Sequence, residues 1–91
     1  MLRLHAIING RVQGVGFRAF VLRHAAALEL TGTVRNLYFP RRQVEVIAEG
    51  PETALRQLLD LLGAGPSMAG VANISANWEP ASGEFPDFSI I

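Results

Sequence analysis

The order of hydrophobic patterns along this chain predicts an α+β fold of the ferredoxin-like kind. That is a split βαβ arrangement with two helices on one face of a mostly antiparallel sheet. Three observations predict it. Apolar residues alternate at Leu2, Leu4, Ala6 and Ile8, and again from Val44 to Glu49. They recur at helical spacing at Phe17, Phe20, Val21, Ala25 and Leu28, and at Leu55, Leu58, Leu59 and Leu62. The elements succeed one another as strand, helix, strand, strand, helix and strand, with a short closing strand.

The first strand presents one apolar face, with Arg3, His5, Ile7 and Asn9 on the other. A glycine-rich loop follows, and the alanines at 25–27 favour the helix after it. Gly32 reads as punctuation before a second strand, Thr33-Val34-Arg35-Asn36. Val44 to Glu49 is the third strand, and "NLYFPRRQ" between them is a hairpin connection centred on Pro40. Gly50-Pro51-Glu52 opens the second helix, with proline at its first position and Glu52 meeting the positive helix end. Gly63 and Gly65-Pro66 stop it. Val71 to Trp78 is a fourth strand, "EPASGEFPD" a turn-rich link, and Phe88 to Ile91 a terminal strand. In this topology the first and second strands run parallel through a right-handed crossover. The glycine loop and Asn36 then meet at one sheet edge, although 18 residues separate Arg18 from Asn36.

Ninety-one residues make one domain, spanning 1–91, with enough apolar residues for one core. The net charge of zero argues against a general electrostatic grip on nucleic acid or an anionic membrane. There is no cysteine, hence no disulfide framework, thiol nucleophile or thiolate metal site. All eight basic residues are arginine, which excludes Schiff-base chemistry and a Walker lysine. No apolar run is long enough to span a bilayer, and the N-terminus has no signal-peptide pattern, so a cytoplasmic protein is expected.

The loop "GRVQGVGFR", Gly10 to Arg18, is the most informative stretch. Gly14 and Gly16 accept positive φ, so successive N–H groups can converge on one point and form an anion-binding nest. The following helix adds its own N-terminal donors and dipole. Arg18 in the first helical turn offers a planar fork for phosphate or carboxylate oxygens. "GVGFRA" also fits a dinucleotide fingerprint, but no acid follows at the required distance and the chain is too short for a doubly wound sheet. A glycine-rich turn without a ligand is the plainer alternative. Arg18 would then be a solvated helix-start residue and Asn36 a strand-end turn residue.

With these residues in view the chain resembles the acylphosphatase family. Gly10-Arg11-Val12-Gln13-Gly14-Val15-Gly16-Phe17-Arg18 reproduces the family loop G-x-V-Q-G-V-x-F-R, and Gly32-Thr33-Val34-Arg35-Asn36 its G-x-V-x-N. "VEVIAEGP", the leucine-rich second helix and Gly65-Pro66 agree, and the resemblance covers nearly the whole chain. It implies hydrolysis of acyl phosphates, the mixed anhydrides of a carboxylic and a phosphoric acid. It places phosphate binding on Arg18, water orientation on Asn36, and a backbone cradle on Gln13, Gly14, Val15, Gly16, Phe17 and Arg18. No metal or organic cofactor is implied, and a small-molecule substrate is the only partner: no nucleic acid, no membrane, and a monomer.

Family members often close the second hairpin with a short Asp-Gly turn, whereas residues 37–43 here are about two longer and carry Arg41 and Arg42. The expectation for that pair is a solvated hairpin tip. Position 33 is Thr where an aromatic residue is common in the family. His5 and His24 are expected at the core edge, Trp78 in the core, and Glu45 and Glu49 in solvent. Two alternatives accompany the enzyme reading. One is a non-catalytic, anion-binding or regulatory module. The other is a piece of a larger carbamoyl-transferring maturation protein, against which the ending after "FSII" favours a free-standing form.

Overall fold

The computed structural model describes residues 1–91. Its elements are β1 (Leu2–Arg11), α1 (Phe17–Ala27), β2 (Thr31–Leu37), β3 (Gln43–Gly50), α2 (Glu52–Ala64), β4 (Gly70–Pro80) and β5 (Phe88–Ile90). The sheet order is β4-β1-β3-β2-β5. β1 and β2 each pair antiparallel with β3, so they run parallel to each other on either side of it. β5 adds parallel to β2, and β4 antiparallel to β1. This is the expected α+β arrangement.

Alternation fixes the two faces of the sheet. Leu4, Ala6 and Ile8 of β1, Val34 of β2, and Val44, Val46 and Ala48 of β3 are fully buried. They join Phe17, Val21 and Ala25 of α1 and Leu55, Leu58 and Leu62 of α2 in one core cluster. Both helices therefore cover the same face. Trp78 is only half-buried at the margin of this core, with the Arg56 guanidinium 4.9 Å from its ring centroid. His24 does lie at the core edge, edge-on to Phe20 at 4.5 Å between centroids.

Three boundary expectations change. Gly32 lies inside β2 rather than before it, because a Cβ there would stand 1.8 Å from the Ile47 carbonyl oxygen: φ is +143° and the neighbouring backbone is in contact. Pro51 is the residue before the helix, with extended ψ of 145°, and Glu52 is the first helical one. Gly63 is carried through α2, which ends at Ala64 and is capped by Gly65, where φ is 66° and the N–H donates to the Leu61 carbonyl at 2.9 Å.

The face without helices is held by polar cross-strand pairs, and here the expectation for two carboxylates fails. Glu45 is not free in solvent: Arg35 Nε donates to it at 2.6 Å and His5 Nε2 lies 2.9 Å away. Burial alone would push the Glu45 carboxyl up, but His5 and Arg35 hold it below its ordinary value. Glu49 is buried, with 5% of its surface exposed. Arg3 Nε donates to it at 2.8 Å, the backbone N–H groups of Ser82 and Gly83 each at 2.9 Å, and the Ser82 hydroxyl at 2.9 Å. The sequence carried no sign of this, because the donors come from a link more than thirty residues away. Arg3 continues onto Ser82 and Glu84 and lies 5.4 Å from the Phe85 ring centroid. The 81–87 link must cross from β4 at one sheet edge to β5 at the other, and Glu49 and Arg3 tack it to the central strands on the way.

Burial raises the Glu49 carboxyl, but the Ser82 N–H, the Arg3 guanidinium and the Gly83 N–H outweigh it and hold the group at about 2, against 4.5 for the free side chain. A depressed carboxyl binds fewer protons folded than unfolded, so its stabilisation is complete above pH 4.5 and is lost as pH falls toward 2. Urea unfolding across that window should show falling stability in the wild type. Glu49→Gln should be less stable at neutral pH and show a flatter acid limb.

Candidate active site

Two clefts indent the surface. The larger, about 410 Å³, is lined by Met1, Glu29, Thr31, Glu49, Gly50, Pro51, Ala81, Ser82 and Gly83, at the sheet edge where β2 begins and β3 ends. Its buried carboxylate, Glu49, is already bound by Arg3, Ser82 and Gly83. The smaller, about 260 Å³, is at the opposite edge and is lined by Val12, Gly14, Gly16, Phe17, Arg18, Ala19, Asn36 and Ile90. The polar groups there lack partners, which makes the smaller cleft the candidate site.

The loop builds it as follows. Val12 and Phe17 are buried and anchor its two ends in the core. Between them Gly14 and Gly16 take left-handed φ of 73° and 77°. A Cβ at either would meet nothing within 4 Å, so the backbone angle, and not crowding, is what calls for glycine. Gly16 is also the residue before α1, and no side chain caps the helix. The first helical backbone bond runs from Phe20 N–H to the Gly16 carbonyl at 3.0 Å. None of the backbone N–H groups from Gln13 to Ala19 donates to an acceptor within the protein. They form a run of free donors at the positive end of a helix.

Two side chains complete the cleft. Arg18 is exposed, in no ion pair, and stands in a first turn that contains no acid. A cation at a helix N-terminus is opposed by the dipole by a few tenths of a kcal/mol, which a bound anion would relieve. Asn36 projects from the helix-facing side of β2, two residues beyond buried Val34. Its Oδ1 is buried and accepts no hydrogen bond. An acceptor facing a row of donors across one cleft suits a ligand that brings both oxygens and a proton to donate.

Of the seven residues expected at the site, Gly14, Gly16, Phe17, Arg18 and Asn36 line the cleft. The Val15 side chain packs partly against the core, while its backbone N–H is among the free donors. Gln13 turns its side chain away: Nε2 donates to the Leu37 carbonyl at 2.7 Å and to the Gln43 carbonyl at 2.9 Å. These two residues face each other at the base of the β2–β3 hairpin. Gln13 thus clamps the loop to the strand that carries Asn36. The sequence reading missed Val12, Ala19 and Ile90. Val12 belongs to the loop motif and Ala19 is a small residue in the first helical turn, whereas Ile90 reaches the cleft only because β5 adds to β2. No group of three or more His, Asp or Glu side chains is placed to hold a metal ion. No helix is long and apolar enough to cross a membrane.

A sequence model of the family described as Acylphosphatase matches residues 4–90. An acylphosphatase of Moorella thermoacetica is 46% identical over 84 residues, covering 92% of this chain and 88% of that protein. The crystal structure of acylphosphatase from Bacillus subtilis superposes with a TM-score of 0.93 at 38% identity, covering 100% of this chain and 99% of that one. The structure of an acylphosphatase from Coxiella burnetii does so with a TM-score of 0.86 at 37% identity, covering 98% of this chain and 90% of that one.

Three outcomes test this geometry before any chemistry. Titrating inorganic phosphate into labelled protein should move the amide resonances of residues 13–19 and leave Ser82 and Gly83 unmoved. Arg18→Ala should weaken that binding by about tenfold or more, the worth of a charged hydrogen bond. Gln13→Ala should cost about 1–3 kcal/mol in urea unfolding, since it removes two hydrogen bonds at a part-buried junction.

Proposed function

Because the chain belongs to the acylphosphatase family, we propose that its free loop amides and Arg18 hold the phosphoryl group of an acyl phosphate while a water on Asn36 cleaves it. One observation carries this reading: unpartnered donors of residues 13–19, an unpaired arginine and a buried unpartnered acceptor surround a single cleft.

The chemistry suits so spare a site. Water oxygen attacks phosphorus, the bond from phosphorus to the acyl oxygen breaks, and the electron pair leaves on a carboxylate. A carboxylate needs no proton at neutral pH, so no general acid is required. The loop amides and Arg18 hold the equatorial oxygens, where charge is spread in the transition state. The Asn36 Oδ1 accepts a hydrogen bond from the water and aligns it in line with the leaving oxygen. Asparagine is no strong base, so the water proton passes to a phosphoryl oxygen of the substrate. The products are the carboxylate and inorganic phosphate. The cradle grips the phosphoryl group and says little about the acyl part, so small acyl phosphates as a class are the substrate. A cytoplasmic monomer acting without nucleic acid is the form this reading gives the protein.

The test is hydrolysis of a small aromatic acyl phosphate in EDTA. Wild type should turn it over. Arg18→Ala should lose about two orders of magnitude or more in kcat/KM, the cost of removing one transition-state donor. Asn36→Ala should lose kcat while still binding phosphate. Near-wild-type turnover by either folded variant would overturn the assignment. Phosphate binding by wild type without turnover would leave an anion-binding module instead.

A further inference from the structure

The formal charge of the chain is zero, yet its charges are not mixed. The sheet edge that carries the cleft is made by residues 9–18, 36–44, 64–73 and 90–91, and these segments contain Arg11, Arg18, Arg41 and Arg42 but no aspartate or glutamate. The rest of the chain holds the other four arginines and all eight aspartate and glutamate side chains. Ion pairing sharpens the asymmetry. Arg3, Arg35 and Arg56 are paired with glutamates. That leaves five unpaired arginines of the eight, and four of them are at this edge.

Arg41 and Arg42 stand on the connection between β2 and β3, whose base Gln13 clamps to the loop. Both are exposed, beside Tyr38 at 58% and Phe39 at 90% exposure, and neither takes part in an ion pair. Asn36 pairs with Val44, and Arg42 is the connection residue just before β3, two residues from Val44. Chain reach and one inter-strand spacing then keep its Cα within roughly 12–13 Å of that of Asn36, on the scale of the Debye length at physiological salt. Over that distance an unpaired guanidinium acts on an anion in the cleft without touching it.

We propose that Arg41 and Arg42 are specificity-determining residues, which favour acyl phosphates whose acyl part bears its own carboxylate or phosphate over those with a neutral acyl part. This deepens the hydrolase reading and rests on it. The selection works by charge: every substrate brings the phosphoryl charge, and only the favoured class brings more. It therefore requires no fixed orientation of the acyl group.

The probes are succinyl phosphate and butyryl phosphate, similar in length and different by one negative charge. Their kcat/KM ratio would be measured for wild type and for Arg41→Gln/Arg42→Gln at low and high salt. At low salt the ratio should favour succinyl phosphate in wild type and fall about threefold or more in the variant. At high salt the wild-type ratio should converge on that of the variant. Both substrates turned over, with the same ratio in both proteins at low salt, would overturn the selectivity alone. Neither turned over by wild type would overturn the hydrolase reading and this inference with it.

Discussion

β1 and β2 never touch, yet the site depends on their running the same way. Each is bound antiparallel to β3, residue for residue over most of its length. That double pairing brings both carboxyl ends to one edge, the loop off β1 and Asn36 on β2. Hydrogen-bond register thus positions groups that are far apart in sequence. The Gln13 carboxamide makes the junction rigid by bridging the loop to the carbonyls of Leu37 and Gln43. The same residue that heads the cradle by its backbone holds the opposite wall by its side chain.

The site itself runs against ordinary folding economy. A run of backbone donors has no acceptor, an arginine stands at the wrong end of a helix dipole, and a buried amide oxygen has no donor. Each is unfavourable in the free protein, by up to a few kcal/mol for the buried acceptor. The compensation is elsewhere, in the fully buried apolar face of three strands and two helices and in the saturated Glu49 network. Polar groups that are satisfied at one end of the sheet and unsatisfied at the other distinguish scaffold from site more clearly than cleft volume does, since the larger cleft is at the satisfied end.

The sequence discloses what is local. Periodicity locates both helices, β1 and β3, turn residues set off the other strands, and the spacing of glycines 14 and 16 anticipates their left-handed angles. Arg18 and Asn36 are found because each stands at the end of a legible element. What escapes is non-local. Glu45 and Glu49 share a strand face and read as solvent residues because carboxylates beside a bound phosphate would repel it, and their true partners are brought by β1, β2 and the 81–87 link. Gly32 reads as a break because its reason, the Ile47 carbonyl, is on another strand. Ile90 reads as an ordinary strand residue because only the parallel addition of β5 takes it to the cleft.

The 81–87 link has a consequence for how this molecule meets its own copies. It delivers three residues, Phe88–Ile90, to the open side of β2, where Gly32 donates to the Asp87 carbonyl and Val34 accepts from Ile91. Without them β2 would be a bare edge, with its central backbone groups ready to pair with a strand from a second chain. β4, the other edge, is guarded differently: Asn73, Ser75, Asn77 and Glu79 alternate along it and Pro80 closes it. β2 carries a shorter polar row, Thr31, Thr33 and Arg35, and is covered by β5 instead. A carboxylate that fastens a loop beneath the sheet therefore also guards against edge-to-edge aggregation.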